Sequence, residues 1–306
     1  MITPEEITII YQGRLSQDIE KCIENIFSVF PNINEIIIST WESEKNLINQ
    51  FEKRYEGRIR YLFLKDPGSK YRKPQTLHNV NRIIYSSKSG LDVVKTRYCI
   101  VARSDIFFEN QNILKLYNFY NNDDKFLVLN QTSIDPERGP KLLYHCCDWL
   151  IMGKTSRLQK YFDIDHIPND YCNWYTNISK PEDEIDSGNV SRFMAEDYLT
   201  SMALKKIGYE INHDFYCEYT ALEIKRWMEI IKKQYIIVPV KKAGLKNLSL
   251  RKIRDFHLYS SISFIRWKII SKINISNLEI IFDKIIYLKR LFLFKLWKIK
   301  NKFLKA

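Results

Sequence analysis

The stretch YCIVARSDIFFEN, from Tyr98 to Asn110, contains the pattern that decides the fold. Its first half is a continuous apolar run, which is typical of a strand buried on both faces of a parallel sheet. The run ends in the charged triplet Arg103-Ser104-Asp105, after which apolar residues resume. Because parallel sheets bind ligands at the carboxyl ends of their strands, the triplet stands where a functional site is expected. Alternatively, Arg103 and Asp105, on the same face of an extended strand, form a simple ion pair.

Strand-like and helix-like segments alternate on the N-terminal side of this stretch. Short apolar runs predict strands, and apolar residues at intervals of three and four predict helices. The predicted strands are EITIIYQ (6–12), NEIIIST (34–40) and RIRYLFL (58–64), and the predicted helices are SQDIEKCIENIFSVF (16–30), EKNLINQFEKRY (44–55) and LHNVNRIIYSSKSGLDVVK (77–95), the last interrupted at Gly90. The alternation predicts an α/β fold with a mostly parallel sheet flanked by helices.

The C-terminal half has a less regular pattern. KFLVLNQ (125–131) predicts a strand, and DWLIMGKTSRLQKYF (148–162) predicts a strand, a turn and a helix. SRFMAEDYLTSMALKKIG (191–208) predicts a helix that Gly208 caps, followed by a strand in YEINHDFYCEY (209–219). These segments extend the α/β pattern to about residue 240.

The composition limits the class of protein. The 306 residues, 45% of them hydrophobic, suffice for one large α/β domain or two small ones. The six cysteines have no CxxC spacing and nothing indicates an oxidising compartment, so we expect buried free thiols. The start MITPEEITIIYQG lacks the pattern of a signal peptide, which predicts a cytoplasmic chain.

Two further motifs carry polar chemistry. Glu196 and Asp197 are adjacent in an otherwise apolar helical segment, where one carboxylate could face a cleft and accept a proton from a hydroxyl group. The alternative is a solvated helix face. Asn81 and Arg82 open the helix that precedes the Arg103 strand, and such groups at a helix N-terminus suit an anionic diphosphate. A simple capped helix start is the alternative for that motif.

In this order, the acidic triplet and the Glu196-Asp197 helix resemble a nucleotide-sugar glycosyltransferase of the GT-A fold, in which DxD and xED motifs have these positions. More closely, the chain resembles the WavE-type lipopolysaccharide synthesis family of bacterial glycosyltransferases. The resemblance covers roughly residues 5 to 235, and the motifs that carry it are IIISTWE (36–42), NVNRIIYSSKSGL (79–91), KTRYCIVARSD (95–105) and CDWLIMGKTSRLQKYFDI (147–164).

The resemblance implies a role for each matching residue. The implied metal or diphosphate ligand is Asp105, with Mg²⁺ or Mn²⁺ as the cation and His213 as a second metal ligand. Contacts to the nucleotide-sugar donor are implied for Gln12, Gly13, Glu42, Asn81, Arg82 and Arg103, contacts to the acceptor or sugar for Asp148 and Trp149, and the catalytic base for Asp197 or Glu196.

One residue departs from the family pattern. Arg103 occupies the position of the first acid of DxD, so Asp105 alone would hold a metal weakly, whereas the arginine could itself neutralise phosphate. Metal dependence is therefore left open. For His213, the alternative is a core histidine with satisfied hydrogen bonds.

The segment after residue 240 differs in charge from the rest. Residues 251–306 contain 14 basic and three acidic residues, a net charge of +11 out of +12 for the whole chain. On a helix, one face holds Ile281, Ile285, Leu288, Phe292, Leu296, Ile299 and Phe303, and the lysines 284, 295, 298, 302 and 305 are predicted to lie opposite, with Trp267 and Trp297 at lipid headgroups. We predict a domain over 1–240 and, over 241–306, an amphipathic tail on an anionic membrane surface. The alternative is a helix packed on the body or on a second subunit; nucleic acid is not the expected partner.

Together these features predict a glycosyltransferase at the cytoplasmic face of the cell membrane. It would transfer a sugar, with inversion, from a nucleotide-sugar donor to a growing lipopolysaccharide, O-antigen or capsule glycan, the acceptor being lipid-linked or a polysaccharide. The alternative function is that of a catalytically inactive, membrane-associated scaffold in glycan assembly, for which Arg103 in place of an acid is the support.

Overall fold

A computed structural model describes residues 1–49, 51–68, 70–72, 76–121, 124–139, 141–176, 178, 191–216, 218–247, 260–273 and 275–304. The strands in these ranges are β1 (Ile7–Gln12), β2 (Glu35–Trp41), β3 (Ile59–Leu64), β4 (Lys70–Arg72), β5 (Thr76–His78), β6 (Tyr98–Arg103), β7 (Ile106–Phe108), β8 (Phe126–Leu129), β9 (Leu150–Lys154), β10 (Tyr235–Val238) and β11 (Leu245–Asn247). The helices are α1 (Ile19–Val29), α2 (Lys45–Asn49), α3 (Val80–Asp92), α4 (Asn112–Tyr120), α5 (Thr155–Phe162), α6 (Asn169–Cys172), α7 (Ala195–Lys206), α8 (Ala221–Gln234), α9 (Phe264–Ile270) and α10 (Asn277–Leu304).

The main sheet contains seven strands in the order β10-β8-β9-β6-β1-β2-β3. Strand β9 is antiparallel to both of its neighbours, and the other adjacent strands are parallel. Every residue of β1 is buried, because both faces of the sheet are covered. The predicted α/β fold, a mostly parallel sheet flanked by helices, is therefore confirmed.

The register of the sheet brings several strand ends to one edge. Gln12, the last residue of β1, pairs with Arg103 at the end of β6 and with Ser39 near the end of β2. The antiparallel strand β9 begins at the same edge, since Ala102 pairs with Leu150. Residues that follow β1, β2 and β6 and residues that precede β9 are thus neighbours, although they are far apart in the sequence.

Helix α3 packs across β1, β2 and β3 and continues through Gly90. The predicted interruption of the helix at Gly90 is wrong. A glycine stands at this position because the helix approaches the sheet closely there. A Cβ atom at this position would lie 2.8 Å from Cγ2 of Ile10 and 3.4 Å from Cβ of Ser39. The glycine therefore lets α3 approach β1 and β2 more closely than any larger residue would.

Two other predicted elements differ from the structure. The described residues between 209 and 219 form no strand; they are an irregular segment in which His213 and Tyr216 are buried and the backbone N–H of Tyr216 donates to the carbonyl of Arg192. The predicted helix over 44–55 is divided into α2 and a 3-10 turn at Glu52–Tyr55. In the segment 209–219, side chains are therefore buried at alternating positions although the backbone forms no strand pairing.

The expected buried thiols are confirmed for the described cysteines. Cys22, Cys99, Cys146 and Cys147 are buried and free, Cys172 is also buried, and Cys217 lies outside the described residues.

Part of the predicted tail packs on the body. Strand β11 pairs with β7, and the indole N–H of Trp267 in α9 donates to the carbonyl of Tyr235, 2.8 Å away, in the fully buried interior. The expectation that Trp267 lies at lipid headgroups is therefore wrong, and the side chain of Trp297 lies outside the described residues. The division of the chain at residue 240 stays a prediction.

Candidate active site

The loops that follow β1 and β6 are joined by hydrogen bonds at the carboxyl edge of the sheet. Ser104 Oγ donates to the carbonyl of Arg14 over 2.9 Å and accepts from the N–H of Ser16 over 2.8 Å. Gly13 has a φ of +82°, a conformation that favours glycine, and its carbonyl accepts from Thr40 Oγ1 at 2.8 Å. These contacts fix the backbone that surrounds the charged triplet.

Arg103 and Asp105 form a bidentate ion pair. Arg103 Nη2 and Nε lie 2.6 and 3.1 Å from Asp105 Oδ2 and Oδ1, and Asp105 is 5% exposed. The guanidinium also lies over the Trp149 ring, 4.9 Å from its centroid, and keeps part of its surface accessible to solvent. The positive group of the triplet, rather than its carboxylate, is thus the one presented at the edge.

This arrangement does not fit a metal site built on Asp105. Both carboxylate oxygens already accept hydrogen bonds from Arg103, and His213 contacts Asp197 instead. Within the described ranges, no group of three or more His, Cys, Asp and Glu side chains is arranged to hold a metal ion. Metal binding by Asp105 and His213 stays a prediction from the family pattern.

The segment from Leu142 to Trp149 is irregular and mostly buried, and it leads into β9. Within it, Tyr144 has a φ of +54°, which is strained for a residue with a side chain and costs about 1–3 kcal/mol. Its hydroxyl donates to Glu223 Oε2 at 2.8 Å, and its ring packs 5.1 Å from that of Trp227. These contacts compensate for the strain and hold the following residue, His145, in a fixed orientation.

His145 connects this segment to the start of helix α7. Its Nδ1 lies 2.7 Å from the carbonyl of Thr132, and because a carbonyl only accepts, Nδ1 carries the proton in the neutral imidazole. Its Nε2 lies 3.8 Å from Oε2 of Glu196. His145 is almost fully buried, whereas the Glu196 side chain keeps 21% of its surface exposed. The Glu196 carboxylate is therefore near a buried imidazole and is also partly accessible to solvent.

Asp148 lies near the same carboxylate. Desolvation and the negative charge of Glu196 raise the pKa of Asp148 to about 7, against the opposing effect of Arg103. Part of the Asp148 side chain is accessible to solvent, but the dense protein surroundings remove much of its hydration. A carboxyl that retains its proton near neutral pH can donate a hydrogen bond, so the pair combines one proton donor with one acceptor.

Asp197 is turned away from Glu196 and into the core. It has no exposed surface, and its Oδ2 lies 3.5 Å from Nε2 of the equally buried His213. Burial raises the pKa of Asp197, and His213 opposes this effect. Among the described residues, Oδ1 of Asp197 and Nδ1 of His213 have no hydrogen-bond partner. Neither side chain of this pair can contact an acceptor directly in this conformation.

The other predicted donor residues have varied surroundings. Gln12 is buried, and its Oε1 accepts from Ser86 Oγ at 2.8 Å, whereas Glu42 is exposed beyond β2. Asn81 is buried, where its Oδ1 accepts from the N–H of Ile167 at 2.7 Å. The amide of Asn81 therefore positions the loop that contains Ile167.

Arg82 is held by an acidic residue beyond β3. Its guanidinium donates to both carboxylate oxygens of Asp66, with Nε 2.8 Å from Oδ1, and these bonds lower the pKa of Asp66. About a third of the Arg82 side chain is exposed. Asp66 follows β3 and His145 precedes β9, and in the order of the sheet β6, β1 and β2 lie between these two strands.

The structure therefore brings some of the predicted site residues together and adds one residue, His145. Arg103, Asp148, Trp149 and Glu196 form one cluster at the sheet edge, while Asp197 and His213 form a second, buried pair behind it. His145 is the residue that sequence reasoning missed. Its signal was weak: a histidine three positions before an aspartate in a segment without periodicity.

The chain is similar to several solved structures of transferases and of a synthase. The solved structures to which the chain is similar include a 4-diphosphocytidyl-2C-methyl-D-erythritol synthase from Anaerococcus prevotii (13% identity, 83% of this chain and 94% of that one, TM-score 0.41). Two others are an inositol-1-phosphate CTP transferase from T. maritima (12%, 52% and 74%, TM-score 0.34) and a mannosyltransferase from Pyrobaculum calidifontis in complex with GDP-Man and Mn²⁺ (9%, 56% and 50%, TM-score 0.35). No curated protein matches the sequence significantly.

The fold and site define an α/β protein with a carboxylate–histidine cluster at the carboxyl edge of its mostly parallel sheet. The model of the family described as WavE lipopolysaccharide synthesis matches residues 7–301, and the chain belongs to this family. The match also includes most of the segment after residue 240, whereas the resemblance seen in the sequence motifs covered only roughly residues 5 to 235.

Proposed function

We propose that this protein is a glycosyltransferase that moves a sugar from a nucleotide-sugar donor to a growing lipopolysaccharide, O-antigen or capsule glycan, with inversion at the anomeric carbon. Membership of a lipopolysaccharide synthesis family supports the pathway. The observation that carries the proposal is Glu196, a partly exposed carboxylate 3.8 Å from His145 and close to Asp148. It lies with Arg103 at the edge of the sheet where ligands of parallel sheets bind.

The donor diphosphate is proposed to bind beside Arg103. The guanidinium is oriented by Asp105 and Trp149 and keeps an accessible surface, so it offers a fixed positive charge to a phosphate group. Gly13 and Glu42 flank this position at the ends of β1 and β2 and are proposed to contact the nucleotide. Arg82 is proposed to contact the diphosphate from the start of α3.

Glu196 is the proposed base, because Asp197 is fully buried. The Glu196 carboxylate removes the proton from the acceptor hydroxyl as the oxygen of that hydroxyl attacks the anomeric carbon. The bond from this carbon to the diphosphate oxygen breaks, and the electron pair leaves with the nucleoside diphosphate, whose charge Arg103 stabilises. Once protonated, Glu196 can donate to the unprotonated Nε2 of His145, which stabilises the proton in its new position.

The remaining residues of the cluster are proposed to position the sugars. Asp148, whose raised pKa of about 7 leaves part of the molecules protonated at neutral pH, can donate to a sugar oxygen, and the Trp149 ring, stacked with Arg103, offers an apolar surface beside it. A divalent cation is implied by the family pattern, but the bidentate Arg103–Asp105 pair does not fit it, so no step is assigned to a metal.

A direct test uses the purified protein, a panel of nucleotide-sugar donors and thermal shift. A donor that binds the folded state raises the melting temperature by mass action. Each stabilising donor is then assayed for hydrolysis and for transfer to lipopolysaccharide precursors, with wild type and Glu196→Gln in parallel. Turnover that the substitution abolishes, with donor stabilisation retained, is the expected result.

The scaffold function is the second candidate, and the observation that favours it is Arg103 in place of an acid. The same experiment separates the two functions. A scaffold predicts no stabilisation and no turnover with any donor, whereas turnover that is equal in wild type and Glu196→Gln contradicts the proposed base.

A further inference from the structure

Helix α10 is attached to the body through polar side chains. Asp283, which is 2% exposed, accepts from Arg138 Nη1 at 2.5 Å and from Ser263 Oγ at 3.3 Å. Two turns further on, Arg290 Nη1 donates to the carbonyl of Ser261 at 2.5 Å. Because Asp283 and Arg290 are seven residues apart, they lie on the same side of the helix, and that side faces the protein.

Near its start, the helix is held by a further ion pair. Lys268 Nζ in α9 lies 2.5 Å from Oε1 of Glu279, and the Arg138 guanidinium lies 5.0 Å from the centroid of the Tyr287 ring. Glu279, Asp283 and Tyr287 follow one another at intervals of four residues. The contact between α10 and the body therefore extends over at least three helical turns, which fixes the rotation of the helix about its axis.

The other side of α10 exposes a continuous row of large apolar side chains, each with 46–63% of its surface accessible. We call this row the apolar stripe, and its members are Leu278, Ile281, Phe282, Ile285, Leu288, Phe292 and Leu296. From first to last they span about 27 Å at 1.5 Å per residue. A surface helix normally packs its apolar face on the core and exposes its polar face. In α10, polar side chains contact the body and the apolar stripe is exposed.

Among the described side chains of α10, the exposed charged ones near the apolar stripe are lysines. Lys284 and Lys295 are exposed, and at 100° per residue they project beside the stripe rather than opposite to it as expected from the sequence; Lys289 is exposed as well. The acids in α10 are Glu279 and Asp283, and both are paired with basic side chains of the body. A partner of the stripe must therefore be apolar in the centre and negatively charged at the rim.

We propose that the apolar stripe is a membrane-binding surface that inserts into the interfacial region of an anionic lipid leaflet, while the opposite side of α10 stays bound to the body. Lipid chains cover the stripe, and anionic headgroups pair with the bordering lysines. Among the helices that the structure describes, none is long and apolar enough to cross a membrane, and the proposed contact lies in the plane of the surface.

The charge distribution favours lipid over a second copy of the chain. Two stripes facing one another would bring the lysines at their borders together, and like charges at such a contact are destabilising. The body itself is not the partner, because it is occupied with the polar side of the helix. This inference does not depend on the proposed transferase activity, since it concerns only where the protein is held.

The test is co-sedimentation of the full chain with vesicles of phosphatidylcholine alone or of phosphatidylcholine and phosphatidylglycerol in equal amounts. Wild type is expected to bind the anionic vesicles, and the double variant Leu288→Glu, Phe292→Glu is expected to lose about tenfold in affinity through lost insertion and charge repulsion. The matched control is Leu222→Glu, Phe119→Glu, which places the same changes at exposed positions outside the stripe. The control should bind as wild type does.

Two further measurements keep the outcome decisive. Melting curves of all variants establish that each is folded, which is expected because the four substituted side chains are at least 62% exposed. Sedimentation velocity without lipid detects self-association. Equal vesicle binding by the stripe variant and wild type overturns the proposal, and so does a wild-type dimer that the stripe variant dissociates while neither protein binds vesicles.

Discussion

Nε2 of His145 lies 3.8 Å from Oε2 of Glu196, although the two residues belong to segments with different backbone structure. His145 is held by an irregular buried segment with a left-handed residue before it, and Glu196 by the first turn of α7. The positive end of the helix stabilises the carboxylate as an anion, and the imidazole offers it a site to share a proton. This relationship distinguishes Glu196 from its neighbour Asp197, which is fully buried.

Replacing Glu196 with Gln tests its role as the base. The amide keeps the size of the side chain but cannot take up a proton, so we expect the rate constant kcat for sugar transfer to fall by about 10²- to 10⁴-fold. Donor affinity, measured by thermal shift, should change little. Glu210→Gln is the control, because Glu210 is exposed beyond the end of α7. Equal losses in both variants would argue against the assignment.

Two substitutions of His145 separate positioning from proton sharing. Asn can still donate to the Thr132 carbonyl as Nδ1 does, whereas Gln places its polar group nearer to Glu196, where Nε2 lies. If proton sharing matters, we expect kcat to fall more in His145→Asn than in His145→Gln. A purely structural role predicts instead that kcat follows the melting temperature in both variants.

Gly90 tests the close packing of α3 on the sheet. In Gly90→Ala the new methyl group would lie 2.8 Å from Cγ2 of Ile10, and relief of this overlap should cost about 1–3 kcal/mol of unfolding free energy. Urea denaturation measures the change. Ser89→Ala, on a half-buried position of the same helix, serves as the control and should change stability by much less. A stabilised Gly90→Ala protein would contradict the packing.

Much of the fold could be predicted because buried parallel strands are continuous apolar runs. The run from Tyr98 to Ala102 predicted the strand β6, and the alternation with helices predicted the α/β class. The behaviour of Gly90 could not be predicted, because it depends on the distance between a helix and a sheet. The segment 209–219 was misassigned because alternating burial of side chains occurs in irregular segments as well as in strands.

The candidate site was predicted where it coincides with strand ends and helix starts. Arg103 is the last residue of a strand and Glu196 lies in the first turn of a helix, so the periodic residues beside them indicated where they lie. His145 had none, since the segment 142–149 is irregular and its conformation depends on tertiary contacts such as the bond from Tyr144 to Glu223. Sequence alone could also not show that Asp197 faces the core, because adjacent helix positions differ by about 100° in direction.

Asp148 should make stability depend on pH. Burial and Glu196 raise its pKa from 3.8 to about 7, so between these values the folded protein retains a proton that the unfolded chain has released. The contribution of Asp148 to stability therefore falls as pH rises from about 4 to 7 and is constant above. In Asp148→Asn this penalty is absent, and the melting temperature of the variant should rise relative to wild type across that range. Asp92→Asn, at an exposed position, should show no such trend.

Arg103 rather than a metal ion should provide the charge that holds the donor diphosphate. Because both oxygens of Asp105 accept from Arg103, we expect donor binding, followed by thermal shift or calorimetry, to persist in EDTA. Arg103→Gln should weaken it about 10- to 100-fold, the effect of one hydrogen bond to a charged group. Arg97→Gln is the matched control: Arg97 also stacks on an aromatic ring, that of Tyr98, but at the opposite end of β6. Binding that EDTA abolishes and Arg103→Gln leaves intact would instead assign the diphosphate to a metal held by Asp105.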